Sequence, residues 1–203
     1  MDSEGSTDIG ADEILMRVLF QSRKTLFTVP GGDTVQILKT ADALRTIGCT
    51  VDISTELEPD LRNYDIVHLF NLMRPQEVWL QALNAMRQGK KIALSTIYGP
   101  YVEYDMKARG VAIRTILKFF RYSQLEYFKV AARAVKNHEI NKGTRILLGS
   151  GYKSLQNRLT EIVDVFLPNS ESEMKRVLAD FPISSTKKWV VVPNAVDEKI
   201  FNP

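Results

Sequence analysis

The feature that most constrains this chain is a regular alternation of short apolar runs with segments long enough to hold a helix. The runs are Arg17-Val18-Leu19-Phe20, Val51-Asp52-Ile53-Ser54, Ile66-Val67-His68-Leu69-Phe70, Ile92-Ala93-Leu94-Ser95, Val163-Asp164-Val165-Phe166-Leu167 and Trp189-Val190-Val191-Val192. Between the first two, Val35, Leu38, Ala41, Ala43, Leu44 and Ile47 recur at helical spacing and stop at Gly48, a C-cap signal; Val78 to Met86 stops likewise at Gly89. Short apolar strands joined by crossovers of helical length are βαβ units. They predict an α/β fold, a doubly wound parallel sheet in one Rossmann-like domain, with ligand chemistry outside the carboxyl ends of the strands.

At 203 residues and 44% hydrophobic content, the chain holds one such domain with a substantial core and leaves no room for a second. Residues 1–15 carry Asp2, Glu4, Asp8, Asp12 and Glu13 and no Lys or Arg, which reads as a disordered leader. Residues 16–192 are the expected domain, and 193–203 the start of a linker. Without the acidic leader the formal charge rises from +3 to about +8, a balance that favours anionic partners. No run approaches the roughly 20 apolar residues of a membrane span, and the N-terminus lacks the basic-then-apolar order of a signal peptide, so a cytoplasmic location is expected. Cys49 has no second cysteine to pair with and reads as a small buried hydrophobe.

Several residues could carry chemistry. Pro30-Gly31-Gly32-Asp33-Thr34 lies between the first strand and a helix, where glycine lets backbone approach a ligand and free N–H groups favour an anion; a plain capped turn is the other reading. There is no Gly-x-Gly-x-x-Gly and no Gly-Lys-Ser/Thr, which disfavours dinucleotide and P-loop chemistry. His68, at an expected strand end, reads either as a structural or as a catalytic histidine. Tyr98, Tyr101, Glu103, Tyr104 and Asp105 form a loop of aromatics and carboxylates suited to gripping carbohydrate, although a plain surface loop has the same composition. Ser170 or Asn169 would cap the helix that follows, with Glu173 completing a capping box. No Cys/His cluster has metal-ligand spacing, and no cofactor is called for. From Lys107 to Lys142 the sequence is basic and aromatic, with Phe119, Phe120, Tyr122, Tyr127 and Phe128 interleaved; a solvated helical face and contact with an anionic membrane surface both fit.

The end of the chain reads as a buried strand, Trp189 to Val192, then a turn at Pro193 and Asn194. Val192-Pro193-Asn194-Ala195-Val196-Asp197, with Phe201 and Pro203 beyond, resembles the interdomain crossing of retaining GT-B glycosyltransferases of the family 4 type. Four further segments resemble that family in the same order: Gly31-Gly32, Asp65-Ile66-Val67-His68, Thr96-Ile97-Tyr98-Gly99 and Asn169-Ser170-Glu171. Two departures stand out, Phe70 where a second His is frequent and Tyr98 where many relatives have His. The resemblance implies the acceptor-side half of a GT-B enzyme that moves a sugar from a nucleotide-sugar donor to a carbohydrate or lipid-linked acceptor. It implies retained anomeric configuration, no required metal and no nucleic-acid partner. It places Gly31 and Gly32 near the donor diphosphate and sugar, His68 at the catalytic centre, and Tyr98, Tyr101, Glu103, Tyr104 and Asp105 on the acceptor side. On this reading most donor contacts come from a C-terminal domain, and the isolated chain is expected to be inactive. A peripheral position at the inner face of the membrane would suit a lipid-linked acceptor. The rival readings are a non-catalytic Rossmann-like module for membrane or partner docking and another Rossmann-like nucleotide enzyme.

Overall fold

A computed structural model describes residues 16–99, 142–182 and 187–194. The expected leader 1–15, the segment 107–141, the residues Tyr101, Glu103, Tyr104 and Asp105, and the linker from 195 lie outside the described residues. The strands are β1 (Arg17–Gln21), β2 (Thr50–Ser54), β3 (Ile66–Phe70), β4 (Lys91–Ser95), β5 (Val165–Phe166) and β6 (Lys188–Trp189). The described helices are α1 (Gly32–Thr46), α2 (Pro75–Arg87), α3 (Lys142–Ser150), α4 (Tyr152–Ile162) and α5 (Glu171–Asp180). The strands form one sheet in the order β2-β1-β3-β4-β5-β6, and every pairing is parallel. This is the Rossmann-like α/β fold that the alternation predicts.

Period-two alternation divides the core between the two faces of the sheet. Val18, Phe20, Val51 and Phe70 pack with Ile37 and Ala41 of α1. Their neighbours Leu19, Val67, Leu69, Ile92, Leu94 and Phe166 pack with α2, α4 and α5 through Val78, Ala82, Leu159, Met174 and Val177. Within α1 the buried side is Thr34, Ile37 and Ala41, whereas Val35, Leu38 and Ile47 are exposed. The apolar spacing therefore identifies the helix but not the face it buries.

The β2–β3 crossover, residues 55–65, has to pass β1 without a helix or strand of its own. Polar residues spaced along one side of α2 satisfy it. Gln81 Nε2 donates to Glu56 O, Asn84 Nδ2 and Gln88 Nε2 donate to Pro59 O, and Gln88 Oε1 accepts from Leu61 N–H. Leu61, fully buried, anchors the far end of the segment.

The last strand differs from its sequence reading. β6 is regular only over Lys188 and Trp189, and Trp189, Val190 and Val192 are exposed instead of buried. Among the described residues it pairs with β5 alone, although its ladder continues through Val190 N–H to Phe166 O and Val192 N–H to Pro168 O. A β-branched run records strand propensity and does not distinguish an edge strand from a central one.

Where α3 meets α2 the backbones touch. A Cβ on Gly143 would lie 1.9 Å from Gln76 O, so any side chain must drive the helices apart. Gly143→Ala is expected to lose about 2 kcal/mol of stability, in the range for overpacking a tight contact. Gly149→Ala, in the same helix with open space around it, leaves the urea midpoint unchanged or raises it.

Candidate functional site at the carboxyl ends of the strands

The chain leaves β1 towards β2 in one direction and leaves β3 towards β4 in the other, so the exits of β1 and β3 flank a topological switch point. At the β1 exit, Arg23 organises residues 22–34. Its Nε and Nη2 donate to the two carboxylate oxygens of Asp33 at 2.7 and 3.0 Å, its Nη1 donates to Thr25 O and Oγ1, and its Nη2 also donates to Val29 O. Thr34 completes the frame: its hydroxyl donates to Leu26 O and accepts from Gly31 N–H. Burial pushes the Asp33 carboxyl up. Hydrogen bonds from Arg23 and Thr34 N–H, with the charges of Arg23 and Arg74, outweigh burial and hold it below the usual carboxylate range.

Gly31 is the N-cap of α1, in ordinary extended backbone (φ −148°, ψ −170°), and Gly32 is the first helical residue. Neither needs glycine for its conformation. A Cβ on Gly31 would come within 3.0 Å of Asp33 Oδ1, but one on Gly32 would meet nothing of the described residues within 4 Å. Among the described residues, Gly32 N–H and Asp33 N–H have no acceptor. The helix start thus presents two donors at an open surface, with the nearby Asp33 charge neutralised by Arg23.

Across the switch point the β3 exit is equally determined. Asn71 takes a left-handed conformation (φ 80°), its Oδ1 accepts from Met73 N–H, and its own N–H donates to Ser95 O. From α4, Gln156 Nε2 donates to Leu72 O and Tyr152 Oη to Met73 O. This places Arg74 at the N-cap of α2, ahead of Pro75. Its guanidinium is mostly buried, yet among the described residues its carboxylate partner is Glu77 at 3.7 Å, too long for a hydrogen bond. Its charge also reaches Asp33. Arg74 is thus a cation with uncommitted donors beside the start of α1. Sequence reading misses both arginines. Arg74-Pro75 as a helix start is the signal that could have placed the second; nothing local distinguishes Arg23 from a solvated arginine.

His68 is not at a strand end. It is the middle residue of β3, buried, its ring stacked on Phe70 at 4.2 Å and edge-on to Phe20, with Nε2 2.9 Å from Ser95 Oγ. Burial lowers its pKa to about 3, so the ring is neutral. These are the contacts of a core histidine. Tyr98 also turns inward: its hydroxyl donates to Asp180 Oδ2 at 2.7 Å and its ring packs on Phe181. Ser170 caps α5 as expected, its Oγ accepting from Glu173 N–H. The Glu173 carboxylate, however, accepts from Asn169 N–H, Tyr98 N–H and the Thr96 hydroxyl rather than from the N-cap amide.

Among the described residues no cluster of His, Cys, Asp or Glu is arranged to hold a metal ion, and no described helix is long and apolar enough to cross a membrane. No model of a known protein family matches the chain, and no curated protein matches it either.

Two predictions follow from these contacts. Arg23→Met leaves Asp33 without its bidentate partner and is expected to cost about 3–5 kcal/mol, as for other broken buried pairs. Arg62→Met, which removes an exposed pair with Asp60, should leave the unfolding midpoint in place. For His68 the folded pKa lies below the unfolded value of 6.5, so the unfolded chain binds the extra proton. Its stabilising effect is complete above pH 6.5 and declines by about 1.4 kcal/mol per unit as pH falls towards 3. Urea unfolding at pH 7.5, 6 and 5 should show this slope in the wild type and its loss in His68→Gln; parallel slopes contradict it.

Proposed function

We propose that this chain is the acceptor-side domain of a retaining glycosyltransferase of the GT-B kind, which transfers a sugar from a nucleotide-sugar donor to a carbohydrate or lipid-linked acceptor. The observation that carries the reading is the open start of α1 at the switch point, where, among the described residues, Gly32 N–H and Asp33 N–H lack acceptors and nothing occupies the space beside Gly32. A glycine without a conformational need fits a position kept clear for a ligand. In the proposed role these two amides donate to an oxygen of the sugar diphosphate, and Arg74 supplies charge from the β3 exit. Such donors favour a leaving group whose negative charge grows during transfer, and a rigid frame spares reorganisation.

In this proposal His68 supports the crevice from beneath, because a buried neutral imidazole between two phenyl rings is poorly placed to exchange protons. The acceptor contacts would fall to Tyr101, Glu103, Tyr104 and Asp105, and most donor contacts to a partner domain. Synthesis of a polysaccharide or glycolipid at the cytoplasmic face of a membrane, with the basic 107–142 segment as a peripheral contact, is the setting this chemistry suits.

The test is titration of the ¹⁵N-labelled chain with UDP-glucose, UDP-N-acetylglucosamine, GDP-mannose and NAD. The Gly32 and Asp33 amides should shift with at least one nucleotide sugar and not with NAD. Arg74→Met should weaken that binding about tenfold, equivalent to about 1.4 kcal/mol. Gly32→Val should abolish it without lowering the unfolding midpoint. Silence of both amides towards all three nucleotide sugars, or an equal response to NAD, overturns the reading.

A further inference from the structure

Among the described residues two non-glycines have positive φ, Asn71 at 80° and Ile97 at 40°. Asparagine tolerates this region; a β-branched side chain is an outlier there, and such a conformation persists only where its surroundings impose it. The Ile97 side chain packs on the α1 side of the core, and one carboxylate holds the residues that flank it. Glu173, 4% exposed, accepts through Oε1 from the Thr96 hydroxyl and from Tyr98 N–H at 2.6 Å, the residues on either side of Ile97. Through Oε2 it accepts from Asn169 N–H at 2.8 Å, and Asn169 Oδ1 accepts from Gln36 Nε2 of α1, also at 2.8 Å. A helix-capping glutamate at this position would reach back to its own N-cap amide. This one instead joins the β4 exit, the β5 exit and, through Asn169, the helix that begins at Gly32.

We propose that Glu173 is a positioning residue that holds the β4 exit in its strained form at Ile97 and sets that exit against α1. The same conformation seats the Ile97 side chain on the core and fixes the shape of the segment that follows β4. On the transferase reading, on which this functional part rests, Glu173 aligns the segment leading to the acceptor residues with the helix start that meets the donor. Both carboxylate oxygens are needed, since one serves the β4 exit and the other the β5 exit. A glutamine keeps the size but exchanges one acceptor for a donor.

The test compares the wild type with Glu173→Gln by NMR in the absence of any ligand, which separates it from the nucleotide-sugar titration. A positive φ brings an amide proton close to its own Hα, so Ile97 should show a strong intraresidue amide–Hα cross-peak in the wild type. In Glu173→Gln that cross-peak should fall to the intensity of ordinary extended residues, and the Gln36 side-chain amide should shift, while the amides of α5 keep helical shifts. If Glu173→Gln does not fold, Thr96→Val removes one bond to the same oxygen and should weaken the cross-peak in part. A weak cross-peak in the wild type, or an unchanged one in the variant that folds, overturns the positioning role. An unmoved Gln36 amide in folded Glu173→Gln overturns the link to α1.

Discussion

Parallel pairing on both sides of β1 is the constraint on which the rest of this structure depends. Parallel neighbours cannot be joined by a tight turn, so each connection must cross a face of the sheet, and its handedness is nearly invariant. With β2 on one side of β1 and β3 on the other, the connections after β1 and after β3 run in opposite directions. Core packing agrees, since α1 covers Val18 and Phe20 whereas α2 shares its cluster with Leu19 and Val67. The two exits diverge and leave a crevice between them. That crevice is a product of strand order, whatever the chemistry conducted in it.

The order also creates a difficulty, because the chain must return from β2 past β1 to β3. The return segment is irregular, and its carbonyls need donors near a buried boundary. Gln81, Asn84 and Gln88 supply them from α2, which explains amides on the inner side of a helix that would otherwise carry aliphatic residues there. At the β1 exit Arg23 has the same task and brings a charge with it. Its desolvation is offset by a bidentate carboxylate and three further acceptors on Thr25 and Val29, so the pair is held in one geometry.

What the sequence made legible follows from the range of each interaction. Strand and helix identities are local, carried by periodicity and by glycines such as Gly48 and Gly89, both of which take positive φ after their helices. The parallel sheet follows from their alternation. Burial is not local. Val35 and Leu38 face outward because α1 meets the sheet through Ile37 and Ala41, and Val190 is exposed because β6 has one neighbour among the described strands. The site shows the same division. Gly31 and Gly32 were visible as a turn before a helix. What bears on the turn lies farther along the chain: the charge of Arg74 at the β3 exit reaches Asp33, and Glu173 reaches α1 through Asn169 and Gln36. His68 and Tyr98 carry chemically capable side chains whose use is set by neighbours that only the fold assembles.

The distribution of satisfied and unsatisfied groups at the carboxyl edge then becomes an argument of its own. Arg23 and Thr34 commit their donors to the β1 exit, Asn71, Gln156 and Tyr152 commit theirs to the β3 exit, and Glu173 serves the β4 and β5 exits together. Ordering a loop costs about 1–2 kcal/mol of backbone entropy per residue, and these bonds offset that cost in advance. A ligand arriving at the start of α1 therefore meets amides already in place. Among the described residues Gly32 N–H and Asp33 N–H are left without acceptors, and the guanidinium of Arg74 has a long ion pair with Glu77 and no hydrogen bond. Loops built only to connect strands need not be held so completely around two free amides, and it is this contrast that supports the proposed ligand-binding edge over a solvated rim.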